Sequence, residues 1–275
     1  MQTKQQIQAL LAQAGLSPRH RFGQNFMIDQ NLLRLVADAG NPGPGDTVIE
    51  VGPGTGTLTE ELLSRGARVV AVEIDRDLAG LLRERFRDQP RFRLIEGDAL
   101  DSKHSLNSEL LAAVKADSKP PKLIANLPYN IASPLIIETL LAGVEILAFT
   151  VQKEVAERLR AKEGSDAYGA LSVMTQLLAK VEILRTLPPT AFWPAPKIDS
   201  SLVRLTRQDQ LGPRARKFSL FLQKLFSSRR KTLRKSLIQI GHDRQILTQM
   251  NLDPEIRSEK LTPQQLLLLF DNINK

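Results

Sequence analysis

Four consecutive residues, Asn126-Leu127-Pro128-Tyr129, bring together a carboxamide, a main-chain carbonyl held ahead of a proline, and an aromatic ring. The Asn126 amide oxygen can accept from an exocyclic amine. Pro128 brings no donor and biases Leu127 to an extended conformation, which fixes the direction of the Leu127 carbonyl. Tyr129 offers a flat face on which a base can stack. Two convergent acceptors beside an aromatic plate suit adenine or a similar amino-bearing ring. The tetrapeptide taken alone reads equally well as a strand end followed by a turn, where Asn and Pro are common.

A second group of residues suits a nucleoside. Gly52-Pro53-Gly54-Thr55-Gly56 follows the apolar run Thr47 to Val51, and Glu73 closes the next apolar run, 21 positions after Gly52. An acid at that distance can receive the two hydroxyls of a ribose. The glycines fall at 52, 54 and 56, whereas a dinucleotide fingerprint needs its third at 57, which is threonine. No Gly-Lys-Ser/Thr occurs either, so the phosphate-loop reading fails. A nucleoside without a pyrophosphate fits better, and S-adenosylmethionine is the obvious one. Gly97-Asp98-Ala99 adds a carboxylate after a third run; it can accept from an adenine amine or be a plain turn.

These groups need a sheet to hold them. Thr47–Val51, Val69–Asp75, Arg91–Glu96, Lys122–Ala125 and Ile146–Val151 read as strands. Helical patterns run between them, from Leu58, from Pro134 to Leu141, and from Gln152 to Lys162. Strand, glycine loop and helix in that order open a nucleotide-binding βαβ unit, with ligands expected at the strands' carboxyl ends. Ser17 to Asp29 reads as an ordered loop whose side chains contact something, with Asp29 or Asn31 capping the next helix. Glu163 to Gly169 reads as a flexible loop, and Val181–Thr186 and Ser201–Thr206 as two last strands. In Phe192-Trp193-Pro194-Ala195-Pro196-Lys197 the prolines stiffen a loop that can hold Phe192 out of the core, opposite Tyr129. Trp193 reads as core packing.

The chain of 275 residues has no cysteine, which excludes disulfides, thiolate metal sites and a cysteine nucleophile. His20, His104 and His242 are too scattered for a catalytic zinc centre, and no metal is expected. The apolar runs fall short of a membrane span, and the N-terminus lacks the apolar core of a signal peptide. A cytoplasmic protein without a membrane partner, working as a monomer, is the expectation. From Arg185 to Arg244 there are 14 Lys and Arg against three Asp, which leaves the rest of the chain at −3 out of a net +8. Concentrated positive charge is the footprint of a protein that meets a polyanion, and nucleic acid is the natural one. Phe218, Phe221, Leu222 and Leu225 then mark an amphipathic helix, and 208–275 reads as a small helical domain.

Assembled, the chain resembles the ribosomal RNA adenine dimethyltransferase family, in its small-subunit branch. Gly23 to Phe26, Glu50 to Gly56, Val72 to Asp75, Gly97 to Ala99, Asn126 to Tyr129, Phe192 to Ser200 and Arg229 to Leu233 carry the likeness, nearly end to end. Met27 stands where leucine is usual, a swap of similar volume; residues 101–121 match nothing in the pattern. The resemblance implies an α/β fold: a Rossmann-like class I methyltransferase sheet, mostly parallel with one late antiparallel strand, and a small α-helical C-terminal domain. Residues 1–207 would be the S-adenosylmethionine-dependent methyltransferase domain and 208–275 the rRNA-binding one. It implies cofactor contacts from Asn25, Met27, Gly52, Glu73, Asp98 and Asn126, with Gly54, Gly56, Ile74 and Ala99 beside them. Asn126, Leu127, Pro128, Tyr129 and Phe192 would serve the reaction, and Arg229, Arg230, Lys231, Arg234 and Lys197 the RNA. The implied reaction is N6,N6-dimethylation of two adjacent adenosines in a hairpin near the 3′ end of small-subunit rRNA. Rival readings are a large-subunit enzyme of the macrolide-resistance type, a non-catalytic assembly factor, and, more distantly, a nucleotide-dependent oxidoreductase.

Overall fold

The computed structural model describes residues 1–19, 22–102, 104–227, 231–242 and 245–274. Contacts divide the chain into two compact units, Met1–Ala156 with Glu182–Arg207, and Glu157–Val181 with Gln208–Lys275. The second unit therefore takes in Glu157–Val181 as well as the expected 208–275.

The first unit opens with α1 (Lys4–Gln13), β1 (Phe26–Met27) and α2 (Gln30–Gly40). Asp29 caps α2, accepting from the amides of Asn31 and Leu32. There follow β2 (Thr47–Val51), α3 (Thr57–Ser64), β3 (Arg68–Glu73), α4 (Arg76–Arg85) and β4 (Phe92–Glu96). A short hairpin of β5 (Leu100–Ser102) and β6 (Ser105–Leu106) leads to α5 (Ser108–Lys115). Then come β7 (Lys122–Asn126), α6 (Ala132–Ala142), β8 (Ile146–Gln152) and α7 (Lys153–Leu159). After α8 (Ala170–Leu178), which belongs to the second unit, come β9 (Ala179–Leu187), β10 (Phe192–Trp193) and β11 (Ser200–Arg207).

Seven strands form one sheet in the order β4-β3-β2-β7-β8-β11-β9. Strands β4, β3, β2, β7 and β8 run parallel, and β11 lies antiparallel against β8. Parallel strands between helical layers are covered on both faces, so they read as continuous apolar runs and not as alternations. Every residue of β2 is buried, as are the first four of β7.

Two features of this unit were not expected. The stretch before α2 is not all loop, because β1 pairs antiparallel with β10, Phe26 opposite Trp193 and Met27 opposite Phe192. That pairing overturns the placement of Phe192. Its side chain is 2% exposed, inside the main apolar cluster with Met27, Val36 and Leu187. Trp193 is the half-buried member, its ring stacked 6.2 Å from Phe26. The prolines stiffen the loop beyond, but the two-residue ladder turns Phe192 inward. Phe192→Ala should therefore lower unfolding free energy by about 3–5 kcal/mol in urea titrations, the cost of emptying a buried aromatic site. A residue serving only to stack on substrate would leave stability near wild type.

The second unit is helical: α8 with α9 (Ala215–Phe226), α10 (Leu233–Gln239), α11 (Gln245–Gln249) and α12 (Pro263–Ile273). The predicted apolar face of α9 is buried, and Phe218 and Phe221 lie 5.3 and 5.5 Å from Phe270 of α12. The stretch expected as a flexible loop, Glu163 to Gly169, is anchored at two points. Tyr168 is buried with its hydroxyl donating to the Leu261 carbonyl (2.8 Å), and the Gly164 amide donates to the Glu259 carbonyl (2.7 Å). Those bonds are why the segment belongs with the C-terminal helices. Among the described residues no helix is long and apolar enough to cross a membrane, and no cluster of metal-ligating side chains is found.

Candidate active site

Because β4, β3, β2 and β7 are neighbours, the groups at their carboxyl ends line up along one edge of the sheet. In order they are Asp98, Glu73, the glycine loop from Gly52, and Asn126. All of them line a single pocket, together with Asn25, Met27 and Tyr129.

The glycine loop is shaped by what approaches it. Gly52 and Gly54 have φ of 73° and 61°, a region that L side chains rarely adopt. A Cβ on Gly52 would lie 3.1 Å from Pro128, and one on Gly54 2.9 Å from the Phe26 ring. The loop thus abuts the 126–129 turn on one side and the β1 segment on the other. Gly56 begins α3 with its amide donating back to Pro53 (2.9 Å), and it lies off the pocket lining.

Glu73 is almost fully buried. One oxygen accepts from the Asp75 amide at 2.9 Å and the other from the Gly54 amide at 3.4 Å, and the Ile74 amide also bonds the carboxylate. Burial pushes its carboxyl up to about 7, against the pull of those amides. Glu50, deeper and bonded to the Thr59 hydroxyl at 2.6 Å, is pushed up to about 8 by burial, with the Glu73 charge adding to it. A carboxylate has about four acceptor positions, so Glu73 retains capacity for a further donor. Ile74 beside it is 44% exposed, an apolar surface open to a planar ring. Asp98 is exposed; one oxygen accepts from the Leu100 amide (3.0 Å) and the other is available. Ala99 is buried in the same wall.

At the other end, the Asn126 amide nitrogen donates to the Asn25 carbonyl (2.8 Å), and its oxygen accepts from the Thr150 hydroxyl. Leu127 is buried, its amide donating to the Thr150 carbonyl at 3.3 Å. Tyr129 is half-buried, and its hydroxyl is 2.7 Å from the Ser200 hydroxyl on β11. Burial raises its pKa, so it is neutral near pH 7.

The sequence reading missed the ties that hold the segment before β1 over this pocket. Buried Asp75 caps α4 and accepts from Arg19 (2.8 Å) and from the Gln24 side chain (2.9 Å). Gln24 in turn accepts from the Arg19 amide (2.8 Å). The Gly23-Gln24-Asn25 run between aromatics was the available signal, but the partner 51 positions away was not legible.

The expected RNA-contacting residues are distributed differently. Lys197 is exposed in the loop after β10 of the first unit. In the second unit Lys231 is exposed and donates to Gln239 (2.7 Å), while Arg234 pairs with Glu255 (2.9 Å). Arg229 and Arg230 lie outside the described residues.

This strand order, with an antiparallel strand near one edge and the pocket at the carboxyl ends, is the fold of a class I methyltransferase. Comparisons with known proteins narrow that class. Residues 15–275 match the model of the family described as ribosomal RNA adenine dimethylase. The chain is 42% identical over 266 residues to Ribosomal RNA small subunit methyltransferase A of Hahella chejuensis, covering 94% of each. It is also 42% identical to the protein of that name from Deinococcus radiodurans, over 92% of this chain and 85% of the relative. Among solved structures, a dimethyladenosine transferase from Plasmodium falciparum matches with a TM-score of 0.70 at 24% identity, over 90% of this chain and 97% of the other. The 23S rRNA methyltransferase ErmE matches with a TM-score of 0.62 at 27% identity, over 91% of this chain and 100% of the other. The chain belongs to the ribosomal RNA adenine dimethylase family and is an rRNA adenine dimethyltransferase.

Proposed function

We propose that this chain dimethylates N6 of two adjacent adenosines in a hairpin near the 3′ end of small-subunit rRNA, using S-adenosylmethionine, during small-subunit biogenesis. The observation that carries the reading is the contact between the 126–129 turn and the glycine loop, which puts an amine-binding end and a nucleoside-binding end in one pocket. The small-subunit target is favoured by relatives at 42% identity over nearly the whole chain, against 27% for the large-subunit enzyme.

The residues present fit the cofactor. Glu73 has an acceptor for each ribose hydroxyl, Asp98 one for the adenine amine, and Ile74 an apolar face for the ring. The 52–54 loop lines the pocket and gives the methionine part main chain to lie against, with Asn25 and Met27 in the same lining. Once bound, S-adenosylmethionine supplies an electrophilic sulfonium methyl. The chain's own task is the nucleophile. An adenine amine is a poor one, because its lone pair is delocalised into the ring. Asn126 Oδ1 and the Leu127 carbonyl accept from the two N–H groups and favour a pyramidal nitrogen, with its lone pair turned to the glycine-loop side. Catalysis is positioning and electrostatics, with no covalent enzyme intermediate. The flipped base stacks on Tyr129, held by Ser200. A monomethyl amine retains one N–H, which one acceptor suffices to hold for the second round.

The basic stretch at 229–235 grips phosphates in this reading, and the protein works as a cytoplasmic monomer on immature subunits. Replacing Arg229, Arg230 and Lys231 with glutamine should weaken RNA binding and reduce the salt slope of log K by about 2–3, at roughly 0.7–0.9 per phosphate contact. An unchanged slope in filter-binding titrations would mark them as a solvated face. The reading as a whole is tested by incubating the protein with radiolabelled S-adenosylmethionine and undermethylated ribosomal subunits, followed by nucleoside analysis. Label in N6,N6-dimethyladenosine of small-subunit rRNA supports it. Label in the large subunit, or none, overturns it.

A further inference from the structure

We propose that Thr150 is a positioning residue for methyl transfer, acting through Asn126; the inference rests on the reading of Asn126 as the group that holds the substrate amine. Thr150 lies on β8 directly opposite Asn126 on β7, and it is wholly buried. Its hydroxyl donates to Asn126 Oδ1, while the amide nitrogen of the same side chain donates to the Asn25 carbonyl at 2.8 Å. A carboxamide tied at both ends has one orientation. Its nitrogen faces a carbonyl that can only accept, so the two ends cannot be exchanged without setting two oxygens against each other. The hydroxyl occupies one lone pair of Oδ1 and leaves the other for the pocket that Asn126 lines.

The main chain of Thr150 holds the second acceptor. Its carbonyl accepts from the Leu127 amide at 3.3 Å, which sets the peptide that carries the Leu127 carbonyl into the turn. Both groups assigned to the substrate amine are therefore registered against one residue of the neighbouring strand. The fold has no need of a hydroxyl here. Thr150 is 0% exposed, and valine would fill the same volume without a polar group to satisfy.

The test removes the hydroxyl alone. Thr150→Val keeps the shape and the main-chain bond, Thr150→Ala loses the hydroxyl with different packing, and Thr150→Ser keeps it. With undermethylated small subunits, both Val and Ala variants should lose about fivefold to tenfold in kcat, the effect of one neutral hydrogen bond. KM and the dissociation constant of S-adenosylmethionine should stay within about twofold, and Ser should restore kcat to within about twofold. In an Asn126→Ala background, Thr150→Val should have no further effect, since the group it positions is gone. Unchanged kcat in Thr150→Val, or the same loss with Asn126 absent, overturns the proposal while leaving the family activity intact. Near-normal transfer by Asn126→Ala alone overturns the amine-holding reading, and this inference with it.

Discussion

Asn126→Ala should lower the methyl-transfer rate by about 10²–10³-fold, as expected when a preorganised polar group at a reacting centre is deleted. The dissociation constant of S-adenosylmethionine should move by less than about threefold. The two readouts separate because Asn126 sits at the tetrapeptide end of the pocket, two strands away from Glu73 and three from Asp98. Its side chain also satisfies the Asn25 carbonyl and the Thr150 hydroxyl, so the variant leaves two polar groups without their partner. That costs about 1–3 kcal/mol for each group left unsatisfied, and urea denaturation run beside the assay separates it from the catalytic loss. A folded variant transferring methyl groups at near the normal rate would remove Asn126 from the chemistry.

Glu73→Ala is the complementary experiment and should act on binding. Two ribose hydroxyls donating to one carboxylate are charge-assisted bonds, each worth about 1.5–3 kcal/mol. Their loss should raise the dissociation constant of S-adenosylmethionine by about 10²–10⁴-fold in calorimetry. The same site predicts a pH dependence. Burial raises the Glu73 carboxyl from 4.5 to about 7, and only the ionised form offers both oxygens freely to hydroxyl donors. Affinity should therefore rise with pH, by about tenfold per unit below 7, and level off above it. Stability of the unliganded chain runs the other way. Glu50 and Glu73 both hold protons more tightly folded than unfolded, so their contribution is complete below about 4.5 and is lost as pH rises through 7 to 8. Glu50→Gln keeps the neutral form permanently and should flatten that decline without abolishing the pH dependence of cofactor affinity. An affinity independent of pH between 5.5 and 8 would mean that Glu73 does not receive the ribose.

Much of the site was legible because its parts are local. A buried parallel strand must be a run of apolar residues, and a tight turn against a neighbouring backbone must be glycine. The acid that closes the next strand is placed by the length of one βαβ unit. Asn126, Glu73, Asp98 and the 52–56 loop each carry such a signature within a few residues. What they touch was not written locally. Phe192 looks the same in sequence whether it faces a pocket or the core; its pairing with Met27 across more than 160 positions turned it inward.

The C-terminal helices show the same division. The apolar face of α9 follows from a spacing of three and four, whereas the recruitment of Glu157–Val181 depends on Tyr168 reaching Leu261. By itself the sequence determined the strand runs, the glycine turn and the chemistry available at each strand end, because period and backbone conformation constrain neighbouring residues directly. Only the tertiary structure decided that Phe192 turns inward, that Asp75 ties down Arg19 and Gln24, and that Thr150 orients Asn126. Those are lateral contacts between segments far apart in the chain. Many side chains could satisfy the local rules at each position, and only the packed neighbours select which one a polar group meets.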